Sequence, residues 1–357
     1  MAMTMPQGLL LEPMVEDIQR LLKVGARMYM CMTRATLEKH GRDGEMPVRL
    51  GLRAYGLWRG REMRAAHHAL GLEINMASLI QCWDSASVFL VKDREDTAPD
   101  YKPYDVRFDV HLCPAALAWK EDDFHQWGHV YCDEFHQACA SAYHPDGHVV
   151  IPENMMKGDD HCHFQWVMPP NAERLELGEP TELGRRLARD YQAESDIEGA
   201  WQALKRTNRL IGGRYVTAAR VLVERFGDDG RDTIRRAMRS WGRLRGEHLR
   251  REHDEKGIER SPVSFMHHHD LPFGIVWDVD EEIADDGTLL ARIHDTPHDE
   301  AWRDLDGADL GVAADLGTLW YEESYAAMVE AYLPGARLEW TRQMCRGDAV
   351  TELRITA

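Results

Sequence analysis

The chain has 357 residues, 44% of them hydrophobic and 29% charged, the composition of an ordinary soluble globular protein of about two domains. That apolar content excludes a disordered chain, a collagen-like repeat and a small disulfide scaffold. With 43 Lys+Arg against 61 Asp+Glu the formal net charge is -18, so the chain should repel phosphate backbones and anionic membrane surfaces, and neither nucleic acid nor membrane is expected as a partner.

Met1–Leu11 has no basic n-region, and its apolar run, Gly8-Leu9-Leu10-Leu11, is too short for a signal peptide. No stretch reaches the roughly 18 uninterrupted apolar residues of a membrane span. The seven cysteines (Cys31, Cys82, Cys113, Cys132, Cys139, Cys162 and Cys345) are odd in number and scattered. That usage predicts reduced thiols and a cytoplasmic protein.

In chain order, apolar residues at three- and four-residue spacing predict a helix over Val15–His40, ended by Gly41, and a second over Glu45–Leu70, ended by Gly71. A mixed segment at Ser78–Val91 admits a third helix. Tyr104–Leu112 alternates polar and apolar residues, as a half-buried strand does. A long helix follows over Asp122–Tyr143, then a turn at His144-Pro145-Asp146-Gly147, a strand at His148–Ile151, a loop holding Gly158-Asp159, and a strand over His161–Met168. Pro169–Asp196 is polar, rich in Glu and Arg, and has the composition of a linker. The order then recurs as Asn208–Phe226, Arg231–Lys256, Thr288–His294, Gly317–Tyr332 and Arg337–Thr356.

The recurrence extends to individual residues. At a constant offset of 186, Arg34, Glu38, Gly41, Asp43 and Gly44 match Arg220, Glu224, Gly227, Asp229 and Gly230. The same register pairs Gly56, Gly60, His67 and Gly71 with Gly242, Gly246, His253 and Gly257. Further on the offset becomes 189, pairing Gly128 with Gly317, Tyr143 with Tyr332, and Gly158-Asp159 with Gly347-Asp348. The period is far too long for a solenoid. It predicts an α+β protein of two tandem copies, residues 1–175 and 201–357 joined by a linker at 176–200. Each copy is a helical pair plus an antiparallel sheet with packed helices. The two copies are expected to be related by a pseudo-two-fold axis, as an intramolecular pseudo-dimer. A homo-oligomer stays open.

The chemistry concentrates in the first copy. His125, His129, Cys132, His136 and Cys139 fall on one stripe of the helix over Asp122–Tyr143. Imidazole and thiol groups serve acid–base work, nucleophilic attack or metal binding. The second copy has Ala314, Thr318, Tyr321, Tyr325 and Met328 at those positions, which suggests an active half and a supporting, degenerate half. The plain alternative is that Cys132 and Cys139 are core residues and the histidines lie on a polar edge. In the last strand, His161 and His163 share one face, with Cys162 and Phe164 on the other. The shared Gly-Asp reads as a turn device. Asp84 and Asp270 are paired by the repeat, as helix caps or as contacts between copies; His269 precedes Asp270 in a run of three histidines. Trp83, Trp119, Trp127 and Tyr131 would suit the wall of a small-molecule pocket, although ordinary core packing explains each singly. Dinucleotide, Walker A, nucleophile-elbow and His-Glu-x-x-His motifs are absent, as is any Cys-x-x-Cys pair.

The series Cys113-Pro114, Tyr131-Cys132-Asp133 and Gly158-Asp159-Asp160-His161-Cys162-His163-Phe164 resembles the L-2-amino-thiazoline-4-carboxylic acid hydrolase family, over about Gly25–Met168. The second copy departs from it: Tyr321 and Thr351 stand in place of Cys132 and Cys162, and the Cys-Pro is lost. The resemblance implies hydrolysis of a C–N bond in a small heterocyclic acid, without a cofactor. Cys132 would attack the ring carbon and His136 would act as base and then acid. Asp133 or Asp160 would orient a histidine or hold a ring nitrogen, and Cys162 or His163 would line the opposite wall. Trp83, Asp84, Cys113, Trp119, His129, Tyr131 and His269 complete the expected substrate contacts. A divalent metal on the Cys/His stripe, a lyase or isomerase working by His/Asp proton transfer, and a ligand-binding sensor similar to the vinyl-reductase-like domains are the competing readings.

Overall fold

The computed structural model describes residues 5–85, 101–189, 191, 196–306 and 310–357, the side chains of 306 and 310–313 excepted. Its first part runs α1 (Leu11–His40), α2 (Glu45–Ala69), α3 (Met76–Gln81), β1 (Asp105–Val110), α4 (Pro114–Glu121), α5 (His125–Tyr143), β2 (His148–Val150) and β3 (Cys162–Val167). After α6 (Glu182–Ala188) come α7 (Ile197–Phe226), α8 (Asp228–Lys256), α9 (Pro262–His267), β4 (Asp278–Ile283), β5 (Leu289–Asp295), α10 (Pro297–Asp306) and α11 (Leu310–Leu319). A π-helical turn, Trp320–Tyr325, leads into α12 (Ala326–Tyr332), and β6 (Arg337–Arg342) and β7 (Thr351–Thr356) end the chain. The architecture is α+β, with two antiparallel sheets of order β1-β3-β2 and β4-β5-β7-β6.

Several elements differ from the expected ones. Within Ser78–Val91 the helix is the short α3, capped by Asn75, whose side chain accepts the Ser78 N–H at 3.0 Å; positions 86–91 lie outside the described residues. α4 is too short to show periodicity and begins on Pro114, which is pre-set for a first helical turn. α6 lies inside the stretch with linker composition, and α7 starts at Ile197, inside the linker expected at 176–200. No helix among the described residues is long and apolar enough to cross a membrane.

The chain forms two compact units. The first takes Leu9–Ala26 and Val48–Thr207, and the second is built mainly from Arg27–Pro47 and Asn208–Ala357. In the first unit, β1 and β3 pair with Phe108 opposite Phe164, Asp109 opposite His163 and Val110 opposite Cys162. Strand alternation therefore sends Val106, Val110, Cys162, Phe164 and Trp166 into the core, while Asp109 and His163 stand on the other face. α2 lies against α5 at Gly56 and Gly60, where a Cβ would fall on the carbonyl oxygens of Phe135 and Cys139.

Residues matched by the sequence offsets make like contacts in the two units. His67 Nδ1 meets Tyr143 Oη at 2.8 Å, and His253 Nδ1 meets Tyr332 Oη at 2.8 Å. Arg59 clasps Asp84, and Arg245 clasps Asp270. Arg49 and Arg53 hold Glu134, as Arg235 and Arg239 hold Glu323. The indole of Trp119 donates to the Ala26 carbonyl at 2.9 Å, and that of Trp302, outside both offsets, donates likewise to the Gly212 carbonyl at 3.0 Å. Gly242 and Gly246 on α8 approach the carbonyls of Ser324 and Met328 as Gly56 and Gly60 approach theirs.

Candidate functional site

The central side chain is Cys132, half-buried on α5. Gly128, one turn earlier, has the Met156 side chain and the Trp119 ring where a Cβ would be. This lets the loop before β3 lie close over the helix. The loop is held by a turn: the Asn154 N–H donates to the Asp159 carboxylate at 2.6 Å, and Gly158 sits at φ +107°. The Gly-Asp pair is thus a turn device, as Gly347-Asp348 is in the second unit, where Gln343 N–H donates to Asp348 at 2.8 Å. Asn154 is fully buried; its Oδ1 accepts the Met156 N–H at 2.9 Å. Its amide Nδ2 is a buried donor with no hydrogen-bond partner among the described residues, and its nearness to Cys132 favours the thiolate.

Two further thiols complete this cluster. Cys113 is the residue before α4, and Cys162 opens β3 with its Sγ accepting the Met155 N–H at 3.4 Å. Burial pushes the Cys132 thiol well above the ordinary range, and the proximity of Cys113, Cys162 and Asp133 raises it further. Burial also pushes Cys162 up to about 11 and Cys139 to about 12. All seven cysteines are free thiols.

His136 lies one turn beyond Cys132. Its Nδ1–H donates to the Cys132 backbone carbonyl at 3.0 Å, so Nε2 is the ring's free acceptor. The imidazole is enclosed by aromatic rings: Phe164 at 5.0 Å, Trp166 at 5.7 Å, Trp83 at 6.2 Å and Tyr131 at 6.4 Å. Burial, assisted by the nearby Arg59 cation, lowers its pKa to about 3, against the smaller raising effect of its bond to Cys132. The ring is therefore neutral at pH 7, and no hydrogen bond joins it to the Cys132 thiol.

The expected site residues are only partly assembled. Cys113, Cys132, Cys162, His136, Trp83 and Tyr131 gather in the first unit. Trp119 is a buried packing residue tied to Ala26. Asp133 is exposed and pairs with Lys157 at 3.2 Å. His129 is half-buried beside it, its pKa lowered by burial although Asp133 opposes. Asp160 is exposed. His163 is parted from Cys162 by strand alternation, so the two cannot line one wall; it bonds Asp109 at 2.6 Å instead. Asp84 is not a helix cap, and its backbone carbonyl accepts from Arg206 Nε at 3.2 Å. It is a buried partner of Arg59, whose guanidinium lies 5.0 Å from the Trp83 ring centre and 4.7 Å from that of Phe135. His269 belongs to the second unit, 4.1 Å from the Phe273 ring centre and 3.3 Å from Arg245. Arg59, Asn154 and Asp109 escaped the sequence reading, although Arg59 and Arg245 are themselves a pair at the offset of 186.

The second unit holds different chemistry at the matching places. Thr296-Pro297 precedes and opens α10 as Cys113-Pro114 does α4. Tyr321 stands for Cys132 and donates to the buried Asp299 carboxylate at 2.7 Å, which also accepts from Thr296 at 2.8 Å. Thr351 stands for Cys162 and accepts the Met344 N–H at 3.0 Å. The thiols are replaced by hydroxyls, which are poorer nucleophiles near neutral pH.

Residues 22–166 match the model of the L-2-amino-thiazoline-4-carboxylic acid hydrolase family. This matched segment holds the whole thiol cluster, and the family's name describes the hydrolysis of a small heterocyclic acid. No curated protein and no solved structure matches the chain.

Proposed function

We propose that the first unit hydrolyses a C–N bond in a small heterocyclic acid, with Cys132 as nucleophile and His136 as proton carrier. The observation that carries this reading is the placement of Cys132, inside the family segment, near an unpartnered buried amide donor and one turn from an imidazole with a free nitrogen. Cys132 adds across the C=N bond of the ring amidine: Sγ bonds to carbon, and the thiol proton passes to nitrogen by way of His136 Nε2. The C–N bond then breaks, the departing nitrogen taking a proton from the amidine's amino group. Water adds to the carbon held on sulfur, returning a proton to the amino nitrogen. Collapse to a carbonyl expels sulfur, which recovers its proton from the added hydroxyl. Asn154 Nδ2–H would stabilise the sulfur as charge develops, and the Trp83, Phe164 and Trp166 rings would face the substrate's apolar edge.

One observation favours a reading without a covalent step. Burial holds the thiol protonated, and the imidazole engages the Cys132 carbonyl and not its Sγ. A lyase or isomerase would then rely on proton transfer at His136. Turnover of L-2-amino-thiazoline-4-carboxylic acid by wild type and Cys132→Ser, with intact mass measured during turnover, separates the two. Loss of turnover by at least a hundredfold, with a substrate adduct on wild type only, is the expected result. Full activity in Cys132→Ser would remove the nucleophile.

A further inference from the structure

Outside the thiol cluster, the opposite face of the first unit's sheet gathers a second set of reactive side chains. Asp109 on β1 stands opposite His163 on β3, and His161 immediately precedes the same strand. Their donor atoms all lie within 4.8 Å of one another, which no other three described His, Cys, Asp or Glu residues achieve. His163 Nδ1 is 2.6 Å and His161 Nε2 is 3.5 Å from Asp109 Oδ1, and His161 Nε2 is 3.4 Å from Glu153 Oε2. Glu153 is fixed there because its carbonyl accepts the His163 N–H at 3.0 Å. The His111 ring stacks on that of His161, 5.1 Å between centres. Among the described residues, the carboxylates of Asp109 and Glu153 pair with histidines and with no lysine or arginine.

We propose that Asp109, His161 and His163, with Glu153 as a fourth donor, form a binding site for a divalent transition metal of the zinc class. Donors about 2.0–2.1 Å from a tetrahedral Zn²⁺ stand about 3.3 Å apart. The observed separations of 2.6 and 3.5 Å from Asp109 Oδ1 bracket that value, and Glu153, 3.4 Å from His161 Nε2, would swing inward to become the fourth donor. Two imidazoles with carboxylates select first-row divalent ions over Mg²⁺ and Ca²⁺, which prefer oxygen alone, and over Cu⁺, which prefers sulfur. Asp109, His161 and His163 keep 24–27% of their side-chain surface exposed, leaving a side for an ion to enter. The rival account is an ordinary cross-strand charge pair. The second unit has such a pair at the matching register, where Arg292 on β5 stands opposite Glu352 on β7, Nε to Oε2 2.9 Å. The first unit has replaced that pair with ligands, and has added His161 and Glu153.

Binding of Zn²⁺ to the full chain by calorimetry, and the absorption spectrum after loading with Co²⁺, test the proposal. One equivalent is expected, with a cobalt spectrum lacking thiolate-to-metal charge transfer. The conservative variants Asp109→Asn, His161→Gln and His163→Gln should each weaken binding by tenfold or more. His129→Gln on α5 should not change it. Circular dichroism of each variant checks that the fold persists. The absence of a stoichiometric site, undiminished binding in the folded His161→Gln/His163→Gln double variant, or a thiolate band would overturn the assignment.

Discussion

Arg59 and Asp84 show how a residue can look functional and serve structure. Both side chains are almost fully buried, 3% and 2% exposed, and the guanidinium makes two hydrogen bonds to the carboxylate. A buried pair of this kind adds little beyond an apolar pair of the same shape, but breaking it strands a charge at a cost of about 3–5 kcal/mol. Asp84→Ala should therefore lower stability by that amount in chemical denaturation, as should Asp270→Ala in the second unit. A loss under 1 kcal/mol in both would show that the pairs are not what holds these positions. The aspartates could be picked out in the sequence because they recur. Their partners could not be assigned, since each arginine lies 25 residues away on a helix and only the fold brings it near. The His163–Asp109 contact escaped for the same reason: alternation shows which face His163 takes, but only the strand register supplies Asp109.

The long helices were legible at the element scale because each carries an apolar stripe over many turns and ends near a glycine. The pairing of α2 with α5 rests on a finer signal. Gly56 and Gly60 are four residues apart and share a helix face, where they remove the Cβ atoms that would block the neighbouring backbone. Their counterparts Gly242 and Gly246 were visible as repeat matches, yet spacing alone does not say which helix approaches them. Gly60→Ala should force α5 outward, costing about 1–3 kcal/mol as overpacked cores do. Because α5 carries both Cys132 and His136, the same variant should lose more activity than its stability change explains. Gly246→Ala should cost similar stability and leave first-unit activity intact; equal activity losses in both variants would argue against local transmission through α5. The elements that went unseen, among them α4, α6, α9, α10, β4 and the π-helical turn, are short or irregular, and too few residues express their period.

Across the whole molecule, the acidic composition invites the expectation that acidification stabilises the chain by relieving repulsion among its carboxylates. The buried histidines argue for the opposite sign between pH 7.5 and 5.5. His67 in the first unit and His298 in the second are fully buried, and burial lowers their pKa values to about 4 and about 3. In the unfolded chain both return to about 6.5. Below pH 6.5 the unfolded state therefore binds protons that the folded state refuses, and stability falls with pH until the folded pKa values are reached. Each such histidine contributes a slope of up to about 1.4 kcal/mol per pH unit. Aspartate and glutamate stay largely ionised down to pH 5.5, so relief of repulsion is small over that interval. Urea denaturation at pH 7.5, 6.5 and 5.5 should show falling midpoints. His298→Phe tests the assignment directly: neither His298 ring nitrogen has a hydrogen-bond partner, and Trp277 and Trp320 surround the ring at 5.4 and 4.9 Å. Phenylalanine suits that apolar wall and cannot titrate, so the variant should lose one histidine's share of the slope while holding its stability at pH 7.5. A wild-type midpoint that stays level or rises on acidification would show instead that relief of carboxylate repulsion dominates.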